Sequence, residues 1–528
     1  MTINRNEALV FLTGAVTLSL EVLASRIMTP YFGVSLYIWS GILSTTLLFL
    51  AVGYHFGGRL SQRHGEQTLE TRFLAAPLLS TASIVVAAAI YPITFKILAE
   101  GNLIVGSFLG ATLLLALPLV ALSAMNPLLI CLQRREDRTG DAGAGRVFFI
   151  STLGSVLGVI VTAFVFIPNM TNHRAVLLLG LIMCGAAMIL VLLSNSLPRI
   201  DKRRLLIGGL AMTVFVGLFF MGRNLYLGLI DSSSSADLEF KIRAEYTSVF
   251  GNIKVADVRS RKAPDTTERY LVQDGLIQNQ TTLNYQSATM YTYVLESFAH
   301  IYAPKARDAL VLGLGAGIVP RHLSQHGLEV SVMEINPTAL RAATENFGFD
   351  RNRVNIYLED ARTFVRRCNN KFDVIIVDLF WGDNVSDYLM TKGFFLDLRN
   401  CLKDKGPVIM NTGFDEFNKE PNFRLMATVA YAFPNIFLSG IQGGNIFIVG
   451  TAGERPEKYQ MESTDVHARV ASMVNISVTE VRKINPFLLG DSEPYSDDHN
   501  VFSVLFSDAS LRLRKRFAKS MSPRMLVN

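Results

Sequence analysis

The pattern of apolar positions changes character once along the chain, near residue 230. Before that point apolar residues fall in seven long stretches, at about 8–28, 36–58, 73–95, 103–132, 147–168, 175–194 and 205–221. Each approaches the roughly 20 residues that carry a helix across a hydrocarbon core. The first stretch is too long, and too poor in preceding charge, to be a cleaved signal peptide; it also bears Glu21 and Arg26, which such a segment avoids. Beyond a serine-rich stretch, Ser232–Ser235, the apolar runs become short and alternate with amphipathic segments. Strands are expected at Asn252–Val258 and across Arg269–Gln280, where Asp274-Gly275 supplies a tight turn.

From residue 308 the pattern is strand, helix, strand, repeated. Strands are expected at Ala309–Leu312, Glu329–Ile335, Val354–Leu358, Phe372–Val377 and Pro407–Asn411. Helices fall between them at Ile318–Gln325, Pro337–Phe347 and Lys392–Leu402, followed by Asn422–Phe433 and two closely spaced strands, Ile436–Ser439 and Asn445–Val449. Continuous apolar strands separated by helices imply a parallel sheet covered on both faces, and the final pair implies an antiparallel edge. The expected organisation is a multi-pass α-helical membrane domain over 1–230, a linker over 231–244 and a small N-terminal β unit over 245–300. An α/β Rossmann-like domain follows over 301–455, and a C-terminal helical segment with a basic tail over 456–528.

Composition agrees with the membrane reading. Half of the 528 residues are hydrophobic, only 18% are charged, and the mean hydropathy is +0.31, beyond what a soluble protein of this length carries. The net charge of +6 is no pointer to nucleic acid, because much of the excess sits in short loops. Arg59, Arg63 and Arg72 follow the second stretch, Arg134, Arg135, Arg138 and Arg146 the fourth, and Arg199, Lys202, Arg203 and Arg204 the sixth. These loops and the N-terminus are therefore expected on the cytoplasmic side of the cell membrane, with the lipid bilayer as partner. If 205–221 crosses, the second half emerges on the outer face; if it is re-entrant or interfacial, the second half stays inside. The second half is expected inside, and on that side Arg512, Arg514, Lys515, Arg516 and Lys519 would meet anionic lipid. Within the stretches, Gly53-x-x-x-Gly57 and Gly154-x-x-x-Gly158 are expected to let helices pack closely. The four cysteines, Cys131, Cys184, Cys368 and Cys401, are scattered and suggest neither a disulfide framework nor a metal site.

The candidate chemistry lies at the carboxyl ends of the expected parallel strands, where such sheets bind ligands. Gly313, Gly315 and Gly317 form a glycine turn between the first strand and its helix. That turn lets a ligand approach the backbone at a helix N-terminus. Glu334 ends the second strand, placed to accept ribose hydroxyls. Asp360, followed by Ala361, ends the third, placed to take an adenine amine, and Asp378 ends the fourth. A lone carboxylate after a strand is usually a solvated loop or a helix cap. Four consecutive strands delivering suitable groups to one rim are a nucleoside pocket.

These residues resemble class I methyltransferases and, more closely, the spermidine synthase family in its membrane-fused branch. The likeness covers about 245–455, with Tyr31-Phe32-Gly33 and Gly57-Gly58-Arg59 resembling that branch's membrane half. Asp274-Gly275-Leu276-Ile277-Gln278 looks like the hairpin motif of aminopropyltransferases, and Phe372–Asp378 like the strand that ends in their catalytic aspartate. The resemblance implies Asp378 as the general base and Gln278, Tyr291, Thr292, Trp381 and Asp383 around the acceptor. It further implies an amine acceptor such as putrescine, and a co-substrate, decarboxylated S-adenosylmethionine, in place of any tightly bound cofactor. Neither nucleic acid nor metal is expected, and a homo-oligomer is left open. Departures from the family pattern are Ala316 for an acid in the glycine turn, Gly251 for a donor-contacting Gln, Thr292 for His or Gln, and Trp381 for a second Asp. Ala316, Gly251 and Thr292 favour an alternative, a methyltransferase using intact S-adenosylmethionine. A third reading, from another class, is a transporter or sensor whose enzyme fold only binds ligand.

Overall fold

The computed structural model describes residues 4–34, 36–63, 65–137, 142–234, 238–263, 266–379, 385–441, 444–454, 456 and 465–528. The chain forms two compact units, one of Met1–Ala236 with Thr247–Val249 and Lys515–Asn528, the other of Asp237–Tyr246 with Phe250–Arg514.

Seven helices of the first unit are long and apolar enough to cross a membrane by length and composition. They are α1 (Arg5–Phe32), α2 (Ile38–Gln62), α3 (Glu66–Glu100), α4 (Leu103–Gln133), α5 (Gly143–Asn169), α6 (Asn172–Leu193) and α7 (Arg199–Asp231). Their small-residue pairs pack as the spacing demands. A Cβ on Gly154 or Gly158 would stand 1.9 Å from the Phe11 carbonyl or 2.2 Å from that of Ala15 on α1. Gly53 and Gly57 press in the same way on Val120 and Ala124. Arg146 does not simply mark a loop, since its guanidinium donates to both oxygens of the buried Glu7, at 2.7 and 2.8 Å.

Three expectations are corrected here. No linker covers 231–244: the last helix runs on to Ser234 and a strand starts at Leu238, since Asn224 and Asp231 are tolerated where the helix has left its apolar stretch. Residues 456–528 are not merely a helical tail. Val470, Val474 and Val478 enter the core of the second unit, and Arg482–Lys483 adds an edge strand to its sheet. Residues 521–528 are almost wholly buried in the helical unit, where Lys96 donates to the Met521 carbonyl at 3.1 Å and Arg223 to that of Val527 at 3.0 Å. Nor does the whole basic tail face lipid: Arg514 is fully buried and donates to the Asp274 carbonyl at 2.6 Å.

The second unit opens with a four-stranded sheet in the order β1-β2-β3-β4: β1 (Leu238–Ser248), β2 (Gly251–Ser260), β3 (Thr267–Gln273) and β4 (Leu276–Thr282). Asp274 and Gly275 join β3 to β4 with φ of 46° and 81°, the positive pair that a two-residue hairpin turn requires. Helix α8 (Met290–Tyr302) leads to the main sheet, whose strands are β5 (Asp308–Leu312), β6 (Glu329–Met333), β7 (Asn355–Tyr357), β8 (Val374–Val377), β9 (Val408–Thr412), β10 (Asn435–Gly440), β11 (Ile446–Thr451) and β12 (Arg482–Lys483). They lie in the order β12-β10-β11-β9-β8-β5-β6-β7. Strands β5 to β9 are parallel, while β11 and β10 run antiparallel to their neighbours.

Both faces of this sheet are covered, and side chains alternate between them with period two. Ala309 and Val311 of β5, with Val374 and Ile376 of β8, pack beside Phe298 of α8 and Leu323 of α9 (Ile318–Gln325). Leu310, Leu312, Ile375 and Val377 face the other way, towards Phe364 of α11 (Ala361–Arg366) and Phe394, Phe395 and Leu398 of α12 (Lys392–Cys401). Between β6 and β7 lies α10 (Pro337–Asn346). The scattered cysteines hid one pairing: Cys368 and Cys401 follow or close α11 and α12, and the fold brings them into a disulfide across 33 residues.

Candidate active site

Strand register builds the site. Leu312 pairs with Met333 on one side and Val377 on the other, and Met333 pairs with Tyr357. The next residues, Gly313, Glu334, Asp378 and Leu358, therefore line up along one rim at the carboxyl ends, with Asp360 two positions further on. Adjacent strands stand about 4.8 Å apart, so the rim from β8 to β7 extends roughly 14 Å, enough for a nucleoside.

The glycine turn is shaped for that rim. Gly313, Gly315 and Gly317 all have positive φ, 95°, 54° and 73°, a region other residues rarely adopt. A Cβ on Gly313 would stand 2.2 Å from the Asp378 carbonyl, and one on Gly315 would meet the Asn279 side chain at 2.7 Å. Asn279, buried on β4, accepts from the Ala316 N–H at 2.9 Å and donates to the Tyr291 hydroxyl at 2.6 Å. The hairpin thereby fixes both the turn and the aromatic at the head of α8.

Glu334 is half-buried and already oriented, with one oxygen accepting from the Leu314 N–H at 3.0 Å and the other from the Asn336 N–H at 2.7 Å. A carboxylate has about four acceptor positions, so lone pairs remain for two ribose hydroxyls. Burial raises its pKa, against the pull of those amides. Asp360 caps α11, accepting from the Thr363 N–H at 2.8 Å, and its other oxygen accepts from the Tyr388 hydroxyl at 2.6 Å. Burial pushes this carboxyl up, but the bonds from Tyr388 and Thr363 outweigh it and hold the pKa below the ordinary value. Asp360 is thus a helix cap and a rim acid at once. Ala361 contributes its place in the first turn of α11, its side chain being packed in the core.

Asp378 differs from both. Burial raises its pKa to about 6, with one opposing hydrogen bond from Asn411 Nδ2 at 2.9 Å. Asn411 in turn accepts from Asn445 at 2.9 Å, which fixes its orientation. Tyr291 lies close: burial first, and then the charge on Asp378, lift its hydroxyl well above the ordinary range. Its hydroxyl also lies 3.2 Å from the Gln278 carbonyl, so Gln278 reaches this group through its backbone.

Not every expected residue arrives. Thr292 is 1% exposed, and its hydroxyl is engaged by Ser287 at 2.8 Å and the Thr289 carbonyl at 3.0 Å. It anchors the start of α8 and does not face an acceptor. Trp381 and Asp383 lie outside the described residues. Asn279, Asn411 and Tyr388 were not anticipated. Asn411 leaves a signal in the sequence, an amide following the apolar run Val408–Met410, whereas Asn279 stands among other polar residues of β4 and Tyr388 leaves no mark.

Residues 288–438 match the model of the spermine/spermidine synthase domain. Over those residues the chain is similar to spermidine synthase-type domains. Among curated proteins the chain is similar to an N-terminal histidine N-methyltransferase of Emericella nidulans, 36% identical over 21% of this chain and 21% of that protein. It is also similar to polyamine aminopropyltransferases of Vibrio vulnificus, 30% identical over 23% of this chain and 43% of that one, and of Pyrobaculum neutrophilum, 27% identical over 39% and 72%. The match thus spans less than half the length of the first two relatives. A solved probable spermidine synthase from Corynebacterium glutamicum aligns over 48% of this chain and 96% of its own, at 18% identity and a TM-score of 0.40, too loose a match to argue from.

Proposed function

We propose that the chain is a membrane-embedded aminopropyltransferase that moves an aminopropyl group from decarboxylated S-adenosylmethionine to a polyamine such as putrescine. The observation that carries this reading is a half-buried aspartate, Asp378, with its pKa raised to about 6, beside a glycine turn and two nucleoside-type carboxylates on one rim. Glu334 and Asp360 would hold ribose and adenine. Asp378 would attract the cationic acceptor and take the proton that its nitrogen must shed. The nitrogen attacks the carbon next to sulfur, a C–N bond forms as the C–S bond breaks, and the electron pair goes to sulfur to give a neutral thioether. Sulfonium leaves readily, so placing the two reactants supplies most of the acceleration.

A second reading, methyl transfer from intact S-adenosylmethionine, is favoured by Ala316, a buried methyl where an acid would hold a donor's amine tail. Calorimetry on the full chain in detergent separates the two. Binding of the decarboxylated donor without the intact one supports aminopropyl transfer; the reverse overturns it, and no binding of either leaves the sensor reading.

The seven apolar helices are proposed to cross the cell membrane, as in the membrane-fused branch that the sequence resembles. The unbroken last helix supports a seventh crossing, and a disulfide in the second unit suits an oxidising compartment. With the arginine bias of the loops, these favour the outer face for the catalytic unit; donor supply had favoured the cytoplasm. A reporter fused after Asn528 is expected to be active outside, and activity inside would mean that the last helix does not cross.

A further inference from the structure

Two helices of the second unit carry, away from the rim, a pattern the transfer reaction does not use. Glu296 and His300 are four residues apart on α8, and His322 and His326 four residues apart at the end of α9. That spacing puts each pair on one helix face, and the two faces meet. One ligand atom each from Glu296, His300 and His326 lies within 4.8 Å of the other two. We propose that these three residues bind a divalent transition-metal ion of the zinc type.

The surroundings are those of a metal site. Glu296 is 7% exposed, and its Oε2 lies 2.9 Å from His322 Nδ1, which fixes the carboxylate with the other oxygen 3.3 Å from His326 Nδ1. The ring of His326 is steadied by the His322 carbonyl, 2.8 Å from its Nδ1. Carboxylate and carbonyl partners of this kind orient ligating side chains in metal centres. A hydrogen bond between two helices would need one histidine opposite Glu296. The rings of His300 and His326, 5.2 Å apart and edge-on, have no place in that simpler account. Ligands at 2.0–2.1 Å from zinc stand roughly 3.4 Å apart, so the trio closes by about an ångström on binding. His326, 56% exposed, has the freedom to move. Imidazole with one carboxylate suits zinc, nickel or cobalt rather than calcium or magnesium, and three protein ligands leave a coordination position for water.

The ion would staple α8 to α9. The glycine turn opens α9, and His326 lies nine residues beyond Gly317, roughly 13 Å along the axis. The role is therefore to stiffen the frame that holds the turn, without touching a reacting atom, and it does not depend on which group is transferred.

The test is zinc titration of the full, chelator-stripped chain in detergent, followed by calorimetry and thermal melting. One zinc per chain is expected, with affinity at least tenfold weaker in His300→Ala and His326→Ala and unchanged in His499→Ala. Zinc should raise the melting temperature of the parent chain and not of His326→Ala, a change at an exposed position that leaves folding intact. Absence of stoichiometric binding, or equal affinity in His326→Ala and the parent, overturns the site.

Discussion

Asp360 and Asp378 stand near opposite ends of one rim, are the same residue type, and meet opposite surroundings. Asp360 sits over the short edge strand β7, caps a helix and accepts from Thr363 and Tyr388, so its charge is favoured. Asp378 ends β8, inside the sheet, and has one opposing hydrogen bond against its burial, so its charge is disfavoured. Strand position decides this. An interior strand leaves its terminal residue walled by neighbours, whereas an edge strand leaves it near water and next to a helix start. Environment, not residue type, sets the two carboxyls apart, and it is the ground for the different roles proposed for them.

The largest test of that contrast is Asp378→Asn. Turnover should fall by about 10²–10⁴, the usual worth of a positioned base, with donor affinity within about twofold by calorimetry; equal loss of both would make Asp378 a pocket residue. Asp360→Asn keeps the cap but loses the charge, so donor affinity should weaken about tenfold, in line with a hydrogen bond to a charged group, with kcat at saturation little changed. If turnover fell as far as in Asp378→Asn, the division of labour would be wrong. In its proposed role Asp378 works unprotonated, so kcat/KM of the parent should rise as pH increases through about 6 and level off above it. Asn411→Leu removes the one bond that favours the charge, and the midpoint of that profile should move upward. A midpoint that stays put would mean Asn411 does not tune the base.

Much of this was legible in the sequence where one residue's geometry depends on its immediate neighbours. Helix Ile318–Gln325 and the glycine turn before it follow from local pattern, because glycine adopts the three positive φ values there most readily. Rim acids were legible because strand ends are. What escaped depends on partners distant in sequence. Asn279 acts on Ala316, 37 residues on, Asn411 on Asp378, 33 residues back, and Cys368 on Cys401. Thr292 misled for the same reason: its position in a motif was visible, but not that Ser287 and Thr289 would claim its hydroxyl. The Ser232–Ser234 stretch misled because polar composition does not end a helix once its register is set.

The chain leaves the helical unit before residue 238, completes the α/β unit, and re-enters the helical unit from Lys515 onward. The second unit is thus an insertion in the chain of the first, which also claims residues 247–249. A fragment running from residue 238 to the end would carry residues 515–528 stripped of the apolar niche that buries them. A fragment of the second unit alone is therefore cleaner if it ends before that returning segment.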